Sequence, residues 1–87
     1  VTKSAFTPKY DQFRRLLIEA RKTAAITQTE LATRLSRPQS FVSKFERGER
    51  RLDIIEFFEV AQAIGIDPIN FLEEFYDTKS RSKKVGK

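Results

Sequence analysis

The sequence predicts an all-α fold, five short helices packed as one small domain, and three observations carry that prediction. Five segments each open with a capping residue or a proline and continue with apolar residues three and four apart. The stretch TQTELATRLSRPQSFVSKFER, residues 27–47, reads as two short helices joined by a tight turn, with the other segments as its supports. Eighty-seven residues suffice for one domain with one modest core and no more.

Taken in order, residues 1–6 have no periodicity and are expected to form a flexible arm ahead of a domain spanning 7–76. Thr7 and Pro8 give a cap followed by proline at the first helical position, and Asp11 lies in the first turn, where the helix dipole favours an acid. Phe13, Leu17, Ala20 and Ala24, with Leu16 on the flank, then predict a helix over 9–23 that Ala24 and Ala25 end. Thr27 can cap the next helix, and Glu30 completes a reciprocal capping box, so that helix starts at Gln28 and buries Leu31, Ala32 and Leu35. Ser36 and Arg37 make the turn, one of them supplies the next cap, and Pro38 suits a first helical position, where its missing N–H is harmless.

The third helix, over 38–47, puts Phe41, Val42 and Phe45 on its apolar side and Gln39, Ser40, Ser43, Lys44 and Arg47 on an exposed polar side. Gly48 supplies the left-handed residue that closes it, and Glu49, Arg50 and Arg51 are loop charges. Asp53 caps a helix over 54–64 with a stripe of Ile54, Phe57, Phe58, Ala61 and Ile64, ended by Gly65. Asp67 and Pro68 start a fifth helix in the same cap-then-proline manner; Ile66 staples against Phe71, and Leu72 and Phe75 continue its face. From Asp77 apolar content almost vanishes, which predicts a disordered basic tail over 77–87.

Residues 13–75 resemble the phage repressor and Cro (Xre-like) family of helix-turn-helix regulators. The resemblance is carried by ITQTELA at 26–32, by the apolar pair Val42 and Phe45, and by FERGER at 45–50. It departs from the family at Ser36, where glycine is usual, and at Phe41, which is bulkier than the small residue common there. What the resemblance implies is a compact lambda-repressor-like DNA-binding domain whose second and third helices form the motif. It further implies an ion pair between Arg21 and Glu46, a phosphate at the helix end that Gln28 occupies, and adenine contact by Gln39.

Composition narrows the alternatives. Cysteine and histidine are both absent, which removes the disulfide framework, the usual zinc ligands and the common catalytic bases and nucleophiles. The adjacent carboxylates Glu73 and Glu74 lie about 100° apart on a helix and so do not face one another as an acid–base pair; an enzyme, a cofactor and a metal site are all unexpected. No run approaches the ~20 apolar residues that cross a bilayer, so no membrane partner is expected and a cytoplasmic protein follows. Net charge is +5, unevenly placed: residues 34–51 hold six Lys or Arg against two acids, whereas 53–77 hold seven acids and no base. A chain polarised in this way, with its positive part on the motif, fits a phosphate backbone on that side.

Double-stranded DNA is therefore the expected partner. In the major groove each base pair presents its own donor and acceptor pattern, and an α-helix fits that groove. Gln39, Ser40, Ser43 and Lys44 are the candidates for base readout, and Gln28, Arg37, Arg47, Arg50 and Arg51 the candidates for phosphate contact. No small-molecule ligand is evident. The last two helices hold more apolar residues than one side can bury, among them Ile55, Phe58, Ile69, Phe75 and Tyr76. A homodimer through Ile69, Phe75 and Tyr76, binding a palindromic operator as a repressor, is the expectation; the alternative is an antitoxin-like module that neutralises a partner protein through the Phe-rich acidic half.

Overall fold

The computed structural model describes residues 7–84, with side chains through residue 77. Five helices follow one another: α1 (Pro8–Thr23), α2 (Gln28–Leu35), α3 (Gln39–Glu46), α4 (Ile54–Ile64) and α5 (Pro68–Lys84). No strand occurs among the described residues. α2 packs on α3 and α4, while α1 crosses the back of the motif against α3 and α5.

Each start has a local cause. Thr7 Oγ1 accepts from the Tyr10 N–H at 3.1 Å, Thr27 Oγ1 from Glu30 at 3.0 Å, and Asp53 Oδ1 from Glu56 at 2.7 Å. Such caps satisfy donors that a helix leaves unpaired at its first turn. The reciprocal box expected at Thr27 is only half made: the Glu30 carboxylate turns to Arg34, one turn along, at 3.1 Å. The full box forms instead at Asp53, whose N–H donates to Glu56 Oε1 at 3.0 Å.

The turn between α2 and α3 also differs from expectation. Ser36 is left-handed, with φ 57° and ψ 42°, and it ends α2 instead of capping α3. The Arg37 N–H then reaches back to the Ala32 carbonyl at 3.0 Å, which closes α2 in the manner usually given to glycine. Pro38 stands one place outside α3, as an extended N-cap residue whose side chain makes no capping bond. A proline disfavours helical backbone in the residue before it, so α3 starts only after the chain has turned. Ala25 is left-handed too, at φ 61°, so α2 is flanked at both ends by non-glycine residues in this strained region.

The core consists of Leu17, Ile26, Leu31, Ala32, Phe41, Val42, Phe45, Phe57, Val60, Ala61, Ile64 and Phe71. Val60, absent from the predicted stripe, is fully covered, whereas Ile54 lies at the open end of α4 and is 56% exposed. Phe57, Val60, Ala61 and Ile64 stand at i, i+3, i+4 and i+7 on the core face; Ile54 shares that face but opens the helix, one turn short of the elements that cover the others. Phe13 is the hub of the ring cluster, 5.4 to 5.8 Å from Phe57, Phe71 and Phe75. Phe75 is thereby drawn inward, while Ile55, Phe58, Ile69 and Tyr76 remain exposed.

The backbone of α5 continues to Lys84, eight residues past the boundary expected at Tyr76. TKSRSKK lacks glycine and proline, and its lysines and arginine are good helix formers, so nothing in it stops a helix already begun. Residues 1–6 and 85–87, which include the predicted arm and the end of the predicted tail, lie outside the described residues. No described helix is long and apolar enough to cross a membrane.

Candidate nucleic-acid interface

The site is built outward from one buried ion pair. Arg21, from α1, places Nε 2.7 Å from Glu46 Oε2 and Nη2 3.0 Å from Oε1, at the last turn of α3. Its remaining nitrogen donates to the Ile26 carbonyl at 2.7 Å. Arg14 adds a bond from Nη1 to the Glu46 backbone carbonyl, fastening α1 to the same turn. A buried charge is tolerated only when paired and hydrogen-bonded, and here both charges are. The pair that the family resemblance implied is present.

Glu46 Oε1 also accepts from Gln28 Nε2 at 2.8 Å. A carboxylate can only accept, so this bond fixes the orientation of the Gln28 amide. Its Oε1 is then presented toward α3 and accepts from Gln39 Nε2 at 3.3 Å. The result is a chain from the interior to the surface: Arg21, Glu46, Gln28, Gln39. At its outer end Gln39 retains Oε1 and one N–H, the donor and acceptor that the adenine edge calls for. Gln28 therefore has its side chain occupied by protein partners, and what it offers an anion is its place at the head of α2.

The faces of α3 divide as the spacing predicted. Phe41, Val42, Phe45 and Glu46 are buried; Gln39, Ser40 and Lys44 are exposed on one side. Ser43 is half-buried, and its hydroxyl donates to the Ser40 carbonyl at 3.4 Å. Phe41 faces the core, edge-on to Phe45 with centroids 5.5 Å apart.

The predicted phosphate contacts surround α3, and each already has a partner. Arg47 makes two bonds to Glu49, at 2.9 and 3.2 Å. Arg50 makes two to Glu56, both at 3.1 Å, and Arg37 approaches the same carboxylate at 3.9 Å. The guanidiniums of Arg37 and Arg50 lie over the Phe41 ring, 4.3 and 4.9 Å from its centre. Arg51 donates to Thr7 Oγ1 at 3.2 Å and lies over Tyr10, whose hydroxyl donates to the Arg50 carbonyl at 3.3 Å. Bonds from Arg50 hold the Glu56 carboxyl below its usual range against the opposing effect of burial, and Arg47 does the same for Glu49. Burial pushes the Tyr10 phenol up.

Glu56 was missing from the candidates drawn from the sequence, although Asp53-x-x-Glu56 spells a capping box that was there to read. Arg34 was also passed over; it donates to the Ala63 carbonyl at 2.8 Å, a cation set at the negative end of α4.

A family model described as helix-turn-helix matches residues 17–71. The chain belongs to the XRE-type helix-turn-helix family of transcriptional regulators. Its structure is similar to that of an XRE-family like protein from Pseudomonas syringae pv. tomato, with TM-score 0.81 and 51% identity over 88% of this chain and 94% of the other. It is also 33% identical over 52 residues to y4dJ of Sinorhizobium fredii, an uncharacterized HTH-type transcriptional regulator; the match takes in 60% of this chain and 68% of that protein. In this XRE-type domain α2 and α3 are the helix-turn-helix, and α1 is the brace that the buried pair ties to it.

Proposed function

We propose that the domain represses transcription as a homodimer that inserts α3 of each protomer into the major groove of a palindromic operator. The observation that carries this reading is the hydrogen-bonded path from Glu46 through Gln28 to Gln39, which ends in an oriented amide on the outer face of α3. Gln39 reads an adenine; Ser40 and Lys44 continue the readout one turn along, and Ser43 lies at the edge. The head of α2, with Arg37, Arg47, Arg50 and Arg51, meets the phosphates on either side of the groove. Ile69 and Tyr76, exposed on α5, and the outer edge of Phe75 form the face between protomers.

Enrichment of random duplexes by the full chain tests the reading: the expected product is a palindrome with half-sites about one helical turn apart. Affinity for that duplex falls steeply with salt, by about 0.9 in log-log slope per phosphate neutralised. Sedimentation with and without the duplex is expected to show a dimer, and Tyr76→Glu is expected to shift it toward monomer. A monomer at tens of micromolar under both conditions, or enrichment of no sequence, contradicts the reading.

A further inference from the structure

Most of the arginines around α3 pair with carboxylates from the protein itself, which lower the positive charge of the cluster without cancelling it. Arg37, Arg47, Arg50 and Arg51 are four cations set against two acids, Glu49 and Glu56, with which three of the four pair. The two acids are placed differently. Glu49 is an exposed loop residue, whereas Glu56 is held by α4: its carboxylate accepts from the Asp53 N–H at 3.0 Å while gripping Arg50 through both oxygens. Glu56 cannot swing away when DNA arrives without giving up the Asp53 N–H half of the capping box. It also sits beside two guanidiniums that share the Phe41 ring, and its charge offsets their mutual repulsion.

Taking α3 in the major groove as proposed above, we infer that Glu56 and Glu49 compete with DNA phosphate for the loop arginines, and that this competition sets how much tighter the operator is bound than other duplexes. Binding to an arbitrary duplex is almost wholly electrostatic, so it follows the net charge that this cluster presents. Binding to the operator adds base contacts. It also draws on guanidiniums already arranged by Glu56, so losing that carboxylate removes an obstacle and an aid together. Glu56 therefore weakens binding to unrelated sequence more than binding to the operator, whereas Glu49, which arranges neither guanidinium over Phe41, weakens both.

The test is fluorescence anisotropy of the full chain on its selected duplex and on an unrelated duplex of equal length, across a salt series. Glu56→Gln and Glu49→Gln are each expected to tighten the unrelated complex about fivefold per protomer near 0.15 M salt and to steepen its slope by about 0.9. Glu56→Gln gains less on the selected duplex, so the ratio of the two affinities falls. Unchanged or weaker unrelated binding, with an unchanged slope in both variants, overturns the inference while leaving DNA recognition intact. Failure of the unmodified chain to bind either duplex at low salt overturns both. Should Glu56→Gln unfold by circular dichroism, Glu49→Gln alone decides, because Glu49 stands in the exposed loop outside the core.

Discussion

Arg21 and Glu46 pair inside the domain, with side chains 10% and 6% exposed, whereas Arg50 and Glu56 pair at its surface, at 39% and 13%. Both are arginine–glutamate contacts with two bonds, and both lie at the end of α3 or just beyond it. Their burial gives them opposite work. The inner pair has no water to fall back on, so it fixes where α1, α2 and α3 sit relative to one another and, through Gln28, how Gln39 is turned. The outer pair is within reach of solvent, so it bears on the charge this surface presents and leaves the helix packing to others.

The largest expected effect comes from breaking the inner pair. Glu46→Gln leaves the Arg21 charge buried without its counterion and is expected to destabilise the domain by about 3 to 5 kcal/mol, measured by urea unfolding. Small domains hold only about 5 to 15 kcal/mol in all, so this variant is near the limit of folding. Replacing both partners by apolar residues, Arg21→Met with Glu46→Leu, is expected to recover most of that loss. If the single and double variants are equally unstable, uncompensated charge is not the cause.

A smaller effect, of opposite sign, is expected at the turn between α2 and α3. Ser36 holds a left-handed backbone that glycine adopts without strain, so Ser36→Gly is expected to stabilise by about 0.5 to 1 kcal/mol. Thermal unfolding followed by circular dichroism measures it, and a loss of stability would show that the Ser36 side chain contributes more than its strain costs.

The outer pair yields the smallest effect, and it depends on pH. The folded Glu56 carboxyl lies below its ordinary 4.5, held there mainly by Arg50 with help from the Asp53 N–H and Arg37. A lowered value means that the pairing stabilises the fold above about 4.5 and that this share is lost as pH falls through the lowered value. Stability measured against pH is expected to show a shallower acid decline in Glu56→Gln than in the unmodified chain. Identical acid profiles would mean that Arg50 and Glu56 gain nothing from their contact.

These two regions also mark what a sequence can disclose. Periodicity and caps placed the helix starts within a residue or two, because these rest on local signals such as Thr7, Thr27 or Asp53. The polar side of α3 was equally legible, since Phe41, Val42 and Phe45 define the opposite side. The partners of the loop arginines were not, because contacts between residues far apart or on different elements follow from tertiary packing. Arg51 meets Thr7 across the domain, and Glu56 was visible as a cap but not as the residue that grips Arg50 and neighbours Arg37. The far end of α5 escaped for another reason: polar composition was read as disorder, although a helix already begun continues through residues of good propensity.

The central claim is that the hydrogen-bonded chain from buried Arg21 to exposed Gln39 aims one amide at one base. Its most direct measurement is the affinity of the unmodified chain and of Gln39→Ala for the enriched duplex and for variants changed at each position of the half-site. The expected result is a loss of about 1 to 3 kcal/mol on the enriched duplex, with discrimination erased at a single position and kept at the others. Equal weakening on every duplex, or no change on any, would contradict it.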